Sequence, residues 1–176
     1  KPLKVWNIGI VTTGSEVYYG RIKDEFGPVL QKKIIALGSR ILRQVFTDDN
    51  VDMIAGAIGT LIAEGAEMVL TTGGMSVDPD DVTPAGIRAA GGRVIVYGAP
   101  VLPGAMFMLA EIGSVPVLGL PGCVMYHKTT IFDLVFPRIL AGERLTRKDI
   151  VRLGHGGLCA GCDQCRYPYC TFGKGR

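Results

Sequence analysis

The stretch M-V-L-T-T-G-G-M-S-V-D-P-D-D-V-T (68–83) decides the fold class. Met68 to Thr71 is short and apolar, follows Gly65 and runs into glycines, which reads as a buried strand. Thr72 to Asp81 is a loop. Asp81 suits the cap of a short helix over Val82 to Ala90, where Pro84 is tolerated because it stands in the first turn. A strand turning through glycines into a helix is part of a β-α-β unit.

The pattern repeats on both sides. Val5 to Thr12 is a strand ended by Gly14, and Asp24 can cap a helix with Phe26, Leu30, Ile34 and Leu37 on one face, stopped by Gly38. Arg40 to Phe46 is a second strand. Asp48-Asp49-Asn50 offers caps for a helix carrying Ile54, Ile58, Leu61 and Ile62. After Gly91-Gly92, Arg93 to Tyr97 is a strand; Ala105 to Ile112 and Val115 to Leu120 form a strand pair joined at Gly113-Ser114. A last helix is expected from about Val124 to Leu140, with Pro137 bending or ending it, and His127 and Lys128 on it. Strands alternating with helices predict an α/β fold with a mostly parallel sheet and helices on both faces. In such sheets ligands sit at the carboxyl ends of the strands. Three loops therefore matter: 12–20, 71–81 and 120–123.

Composition agrees. The 176 residues are 48% hydrophobic and 20% charged, enough to bury a core and unlike a disordered chain. The longest nearly uncharged stretch, Met53 to Ala63, falls well short of the ~20 residues of a membrane span. No signal-peptide pattern is read at Lys1-Pro2-Leu3-Lys4, and the first residue is not Met, which points to a processed chain or an excised domain. The net charge of +3 is uneven. Residues 1–142 carry 12 basic and 13 acidic groups; residues 143–176 carry 7 and 3, and are expected to form a solvated, basic extension. Arg166, Tyr167, Tyr169 and Phe172 are too few for a nucleic-acid stripe. One cysteine, Cys123, in the first 158 residues argues for a reducing, cytoplasmic setting. A lone cysteine beside a turn reads best as a small buried hydrophobe.

Two phosphate motifs fail. No G-x-G-x-x-G follows the first strand, and G-C-V-M-Y-H-K-T (122–129) has His127 where a P-loop requires glycine. The glycine loop Thr72-Gly73-Gly74-Met75-Ser76 can instead aim backbone N–H groups at an anion. Asp78, Asp80 and Asp81 follow it. A carboxylate ~5 Å from a phosphate costs roughly 3 kcal/mol at an effective dielectric near 20, whereas a helix end returns only about 0.3–1 kcal/mol. Either a cation such as Mg²⁺ sits between them, or these aspartates are turn formers and caps. Glu16, in Thr12-Thr13-Gly14-Ser15-Glu16, adds an acid after the first strand.

Taken together, T-T-G-S-E-V (12–17), G-R-I-K-D (20–24), T-D-D (47–49), the loop 71–83, P-G (103–104) and G-L-P-G (119–122) occur in the order seen in molybdopterin-binding domains. Over about residues 5 to 142 the chain resembles that family, which includes molybdopterin adenylyltransferase, molybdopterin molybdotransferase, gephyrin and competence-damage-inducible relatives. The resemblance implies a three-layer α/β/α domain over 1–142 that binds molybdopterin or its adenylylated form. The phosphate would lie on Thr72, Gly73, Gly74, Met75 and Ser76. Thr13, Gly14 and Ser15 would line the pocket, and the turns containing Gly104, Pro121 and Gly122 would close it. Glu16, Asp48 or Asp49, and Asp81 match the acids around nucleotide, Mg²⁺ and molybdate. A dimer or trimer is implied as well. The chain departs from the family at Phe26, at Asp78 and at Cys123-Val124-Met125-Tyr126-His127, where Asn-Pro and a small residue are usual.

The function expected is molybdopterin binding in molybdenum cofactor assembly, delivery or sensing, with Mg²⁺-assisted phosphate chemistry in an enzyme. A non-catalytic sensor is the alternative, and a nucleotide pyrophosphatase a further one. Beyond the resemblance lies Cys159-x2-Cys162-x2-Cys165-x4-Cys170, where four thiolates can enclose Zn²⁺ or ligate an iron–sulfur cluster. An unmetallated tail is the other reading.

Overall fold

The computed structural model describes residues 2–174. Six strands form one sheet: β1 (Asn7–Thr13), β2 (Arg40–Thr47), β3 (Met68–Thr72), β4 (Arg93–Tyr97), β5 (Met108–Ile112) and β6 (Val115–Leu120), in the order β2-β1-β3-β6-β5-β4. Adjacent strands from β2 through β6 in that order pair in parallel, and β5 runs antiparallel to both of its neighbours. The sheet is mostly parallel, as its alternation with helices predicts.

Each strand presents alternate residues to two apolar layers. Ile8, Ile10, Met68 and Leu70 pack with Leu30 and Ile34 of α2 (Phe26–Ala36) and with Phe132 and Phe136 of α6 (Ile131–Leu140). Val11 and Val69 face Ile54, Ile58 and Leu61 of α3 (Val51–Ala63) and Ile87 of α4 (Thr83–Ala89). Phe132 and Phe136 stack with centroids 4.7 Å apart.

Three local expectations change. A one-turn helix, α1 (Ser15–Tyr18), occupies the first loop. The expected helix over 124–140 is two helices, α5 (Cys123–Tyr126) and α6. Thr130 and Asp133 form a reciprocal capping box that starts α6 afresh, leaving His127 extended and Lys128 in the connection. Asp81 does not cap α4: the cap position is Val82, without a side-chain bond, and the Asp81 carboxylate accepts from the Ser76 amide.

Pro137 neither ends α6 nor leaves a loose carbonyl. Proline has no N–H to give the carbonyl four residues back. That carbonyl, on Asp133, accepts from the Tyr167 hydroxyl at 3.2 Å. Burial pushes the Tyr167 phenol above its ordinary range, with the Asp133 charge adding to it. Tyr167→Phe is expected to cost about 1 kcal/mol in denaturant unfolding, the worth of an ordinary hydrogen bond.

The basic extension is not solvated throughout. A second capping box, Thr146 with Asp149, starts α7 (Arg147–Arg152). Ile150, Leu153 and Phe172 then pack into the layer of α2 and α6. Leu102 donates to the Gly157 carbonyl and Cys159 to the Leu102 carbonyl, both at 2.8 Å.

At the far edge Glu111 of β5 sits between Arg93 and Arg144, with Arg144 gripping both carboxylate oxygens at 3.2 and 2.9 Å. Arg144, with Arg93 assisting, holds the Glu111 carboxyl below its ordinary value of 4.5 against the opposing push of burial. A carboxyl more acidic folded than unfolded stabilises fully above that value, and the contribution is lost as pH falls through it and below. Glu111→Gln should therefore lower the melting temperature at pH 7, with the gap to wild type closing as thermal scans move below about pH 4.5.

Candidate functional site

The chain leaves β1 for β2 on one side, then returns to β3 on the other side of β1. That reversal splays the connections and opens a crevice at the carboxyl ends of β1 and β3. Thr12-Thr13-Gly14 and Thr72-Gly73-Gly74 stand there.

The two loops are in direct contact. Gly73 (φ 83°) lies against Thr13 so closely that an added Cβ would come within 2.2 Å of its carbonyl oxygen. The Thr13 hydroxyl meets that of Thr83 at 3.0 Å, and Thr72 donates to Thr12 at 3.3 Å, all four side chains being buried. Gln44 on β2 donates to Thr12 at 2.9 Å and to Asp24 at 2.7 Å. Asp24 also accepts from the amides of Phe26 and Gly27, fixing the first turn of α2. The Thr47 hydroxyl, in register with Thr13, is buried with no hydrogen-bond partner.

Beside this rim lies a cleft of about 600 Å³. Of the residues expected at a site, Thr13, Gly14, Ser15, Glu16 and Asp49 form its wall. Thr12, Lys23, Asp24, Met125 and Tyr126 join them; they belong to the motifs 12–17 and 20–24 and to the departure at 123–127, but are not among the expected site residues. The volume lies in the range of small-molecule sites. Gly14 (φ 134°) leaves open space where a side chain would project. The wall carries Glu16, Asp24, Glu25 and Asp49 against Lys23, so its charge is predominantly negative.

The structure separates the two aspartates of T-D-D. Asp48 is bound by the hydroxyls of Ser15 and Tyr19 and the amide of Asp49. The Ser15 hydroxyl, more than the other two, holds its carboxyl below the usual range. Asp49 accepts from the Ser15 amide at 3.0 Å and faces the cleft. Asp81 is half-buried and closes the glycine loop through Ser76; Asp78 accepts from the Asp80 amide at 3.0 Å. Thr72, Gly73, Gly74, Met75 and Ser76 stand behind the Thr13 rim and outside the cleft wall. The Met75 side chain points into the core against Gly119. Gly104 packs on Ile131, Pro121 is buried and Gly122 precedes α5; these three are also outside the wall. Cys123 is half-buried, and burial pushes its thiol up.

Cys159, Cys162, Cys165 and Cys170 all line a second cavity of about 230 Å³, which shares Tyr126 with the first. The Thr129 hydroxyl, 3.5 Å from Cys165 Sγ, is the main influence lowering that thiol, with the Tyr167 amide and Lys128 assisting. Among the described residues no three His, Cys, Asp or Glu side chains stand together as a ready site for a single metal ion. No described helix is long and apolar enough to cross a membrane.

Two missed residues had a trace in the sequence. Gln44 is a polar side chain within the strand I-L-R-Q-V-F (41–46), on the face of β2 that follows Ile10 of β1. Thr83 closes the 71–83 motif.

Comparison with known proteins agrees with this fold. Residues 9–141 match the family described as "probable molybdopterin binding domain". A CinA-like protein of Mycobacterium sp. (strain MCS) is 33% identical over 88 residues, 50% of this chain and 21% of that protein. The molybdopterin molybdenumtransferase of Synechococcus elongatus is 26% identical over 161 residues, 84% of this chain and 40% of the relative. Among solved structures, the molybdopterin biosynthesis MoeA protein from Pyrococcus horikosii superposes with a TM-score of 0.64 at 26% identity, covering 77% of this chain and 34% of that one. The molybdopterin biosynthesis enzyme MoaB from Thermus thermophilus does so with a TM-score of 0.60 at 18% identity, covering 79% and 98%, a likeness of fold. With the family match spanning most of its length and the switch-point crevice in place, this chain belongs to the molybdopterin-binding domain family.

Proposed function

We propose that the chain binds molybdopterin, or its adenylylated form, at the carboxyl ends of β1 and β3, and acts in molybdenum cofactor biosynthesis. The observation that carries this reading is the packing of Gly73 on Thr13, which makes one rim of two loops beside the cleft. The residues suit such a ligand. Glycine backbone and threonine hydroxyls can donate to a phosphate, the open space at Gly14 admits a ring system, and Lys23 supplies a positive charge.

The cleft's carboxylates need a cation before an anion can sit among them. Mg²⁺ takes one or two carboxylates and completes its shell with phosphate and water, so a ready cluster of three acids is not required. Glu16 and Asp49, both in the cleft wall, would hold it, and bound there it would neutralise charge developing at the phosphate; Asp81 lies outside that wall. Asp49 also holds the Ser15 amide, and Asp81 the Ser76 amide, so these two keep the rim in shape before any ligand arrives.

Calorimetric titration with molybdopterin tests the reading. Binding at micromolar ligand that strengthens with Mg²⁺ is the expected result; a folded protein that does not bind under these conditions refutes it. Adenylyl-transfer and molybdate-insertion assays then separate enzyme from binding module. Activity lost in Glu16→Gln with binding retained marks an enzyme.

A further inference from the structure

The four tail cysteines fall outside the family match, and the reading above does not use them. They lie in a segment, Leu153 to Lys174, that contains no helix or strand. Structureless loops longer than about 12–15 residues are uncommon unless they serve a function. This one is nevertheless fastened at both ends. The Gly157 carbonyl and the Cys159 amide pair with Leu102 at 2.8 Å, and Gly173 donates to Gly156 at 2.9 Å. Phe172 is buried in the core, and Tyr167 stacks on it edge-to-face at 6.5 Å.

Between these anchors the chain wraps a cavity of about 230 Å³, with all four thiols in its wall. Leu158, Ala160, Tyr167 and Phe172 share that wall, so the thiols stand in a partly apolar surround. A loop without regular structure that brings four thiols to the wall of one cavity has the form of a segment organised by a thiophilic centre.

The spacing points to the occupant. Cys159-x2-Cys162-x2-Cys165 is the spacing at which the bacterial ferredoxin run places three thiolates, here with Cys170 as the fourth after four intervening residues. An iron–sulfur cluster carries its thiolates on separate iron atoms, and a cavity of about 230 Å³ with all four cysteines in its wall has room for one. On ligation each thiol gives up its proton, and the tail's 7 basic groups against 3 acidic ones offset the resulting negative charge.

We propose that Cys159, Cys162, Cys165 and Cys170 ligate an iron–sulfur cluster in this cavity. The proposal is independent of what the cleft binds, although Tyr126 borders both.

The test is iron and acid-labile sulfide analysis of the full chain purified without oxygen, or reconstituted with ferrous iron and sulfide. The expected result is iron and sulfide in equal amounts, about two or about four of each per chain, with a visible charge-transfer band. Cys162 is exposed, so Cys162→Ser tests ligation without disturbing the core; it should lower the iron content at least about tenfold. Cys123→Ser, outside the cavity, should leave it unchanged. Wild-type protein with a native circular-dichroism spectrum that takes up no iron and sulfide overturns the proposal. So does one equivalent of zinc without sulfide, or full iron content in Cys162→Ser.

Discussion

Gly73→Ala is expected to abolish ligand binding and to lower stability by about 3 kcal/mol. Two effects add. A Cβ at φ 83° is strained in itself, and it would stand 2.2 Å from the Thr13 carbonyl oxygen and 2.6 Å from the Thr13 hydroxyl. The obstacle is backbone at the end of a strand paired with β2 through Thr13 and with β3 through Thr12, so it cannot swing aside as a side-chain tip would. The two loops must separate, and the rim between them is lost. Gly14→Ala is the control. Gly14 is also in the left-handed half of conformational space (φ 134°), but nothing lies within 4 Å of its added Cβ, so the cost is strain alone, about 1 kcal/mol. Urea denaturation with ligand titration on both variants separates close contact from conformational strain. Equal losses would contradict the close-contact account.

Phe172→Ala is expected to cost about 3–5 kcal/mol, the usual range for a buried phenylalanine, and to release the tail. Phe172 is 3% exposed and is the last core residue of a segment that has no regular secondary structure of its own. Its loss also removes the ring against which Tyr167 packs, weakening the bond from Tyr167 to the Asp133 carbonyl. Limited proteolysis with mass spectrometry should show early cleavage between Leu153 and Lys174 in the variant, while the body stays protected. Cleavage kinetics like those of wild type would show that the tail is not held by this ring.

Much of the α/β pattern was legible because it is written in local periodicity. The runs 7–13, 68–72 and 115–120 are short, apolar and punctuated by glycine, and the helices over 26–36 and 51–63 carry apolar residues at helical spacing. Helix boundaries failed where a side chain reaches three residues along. Thr130 with Asp133 and Thr146 with Asp149 are readable capping boxes, and each starts a helix that periodicity either merged or passed over. The site was legible as loops and not as contacts. Gln44 reaches Thr12 across 32 residues, and Thr83 reaches Thr13 across 70, distances that no local pattern encodes. The docked tail was unreadable for a similar reason. Tyr167 and Phe172 have no periodic neighbours; Tyr167 bonds to Asp133 of α6, and Phe172 joins the core layer that α6 helps to build.

The central claim is that an anionic pterin is gripped by backbone amides at the carboxyl ends of β1 and β3. Amide chemical shifts of nitrogen-15-labelled protein, recorded while molybdopterin and Mg²⁺ are added, read this residue by residue. The account predicts that the largest saturable shifts fall on Gly14 to Glu16 and on Gly73 to Ser76. Saturating shifts confined to other surfaces, with both of these segments silent, would contradict it.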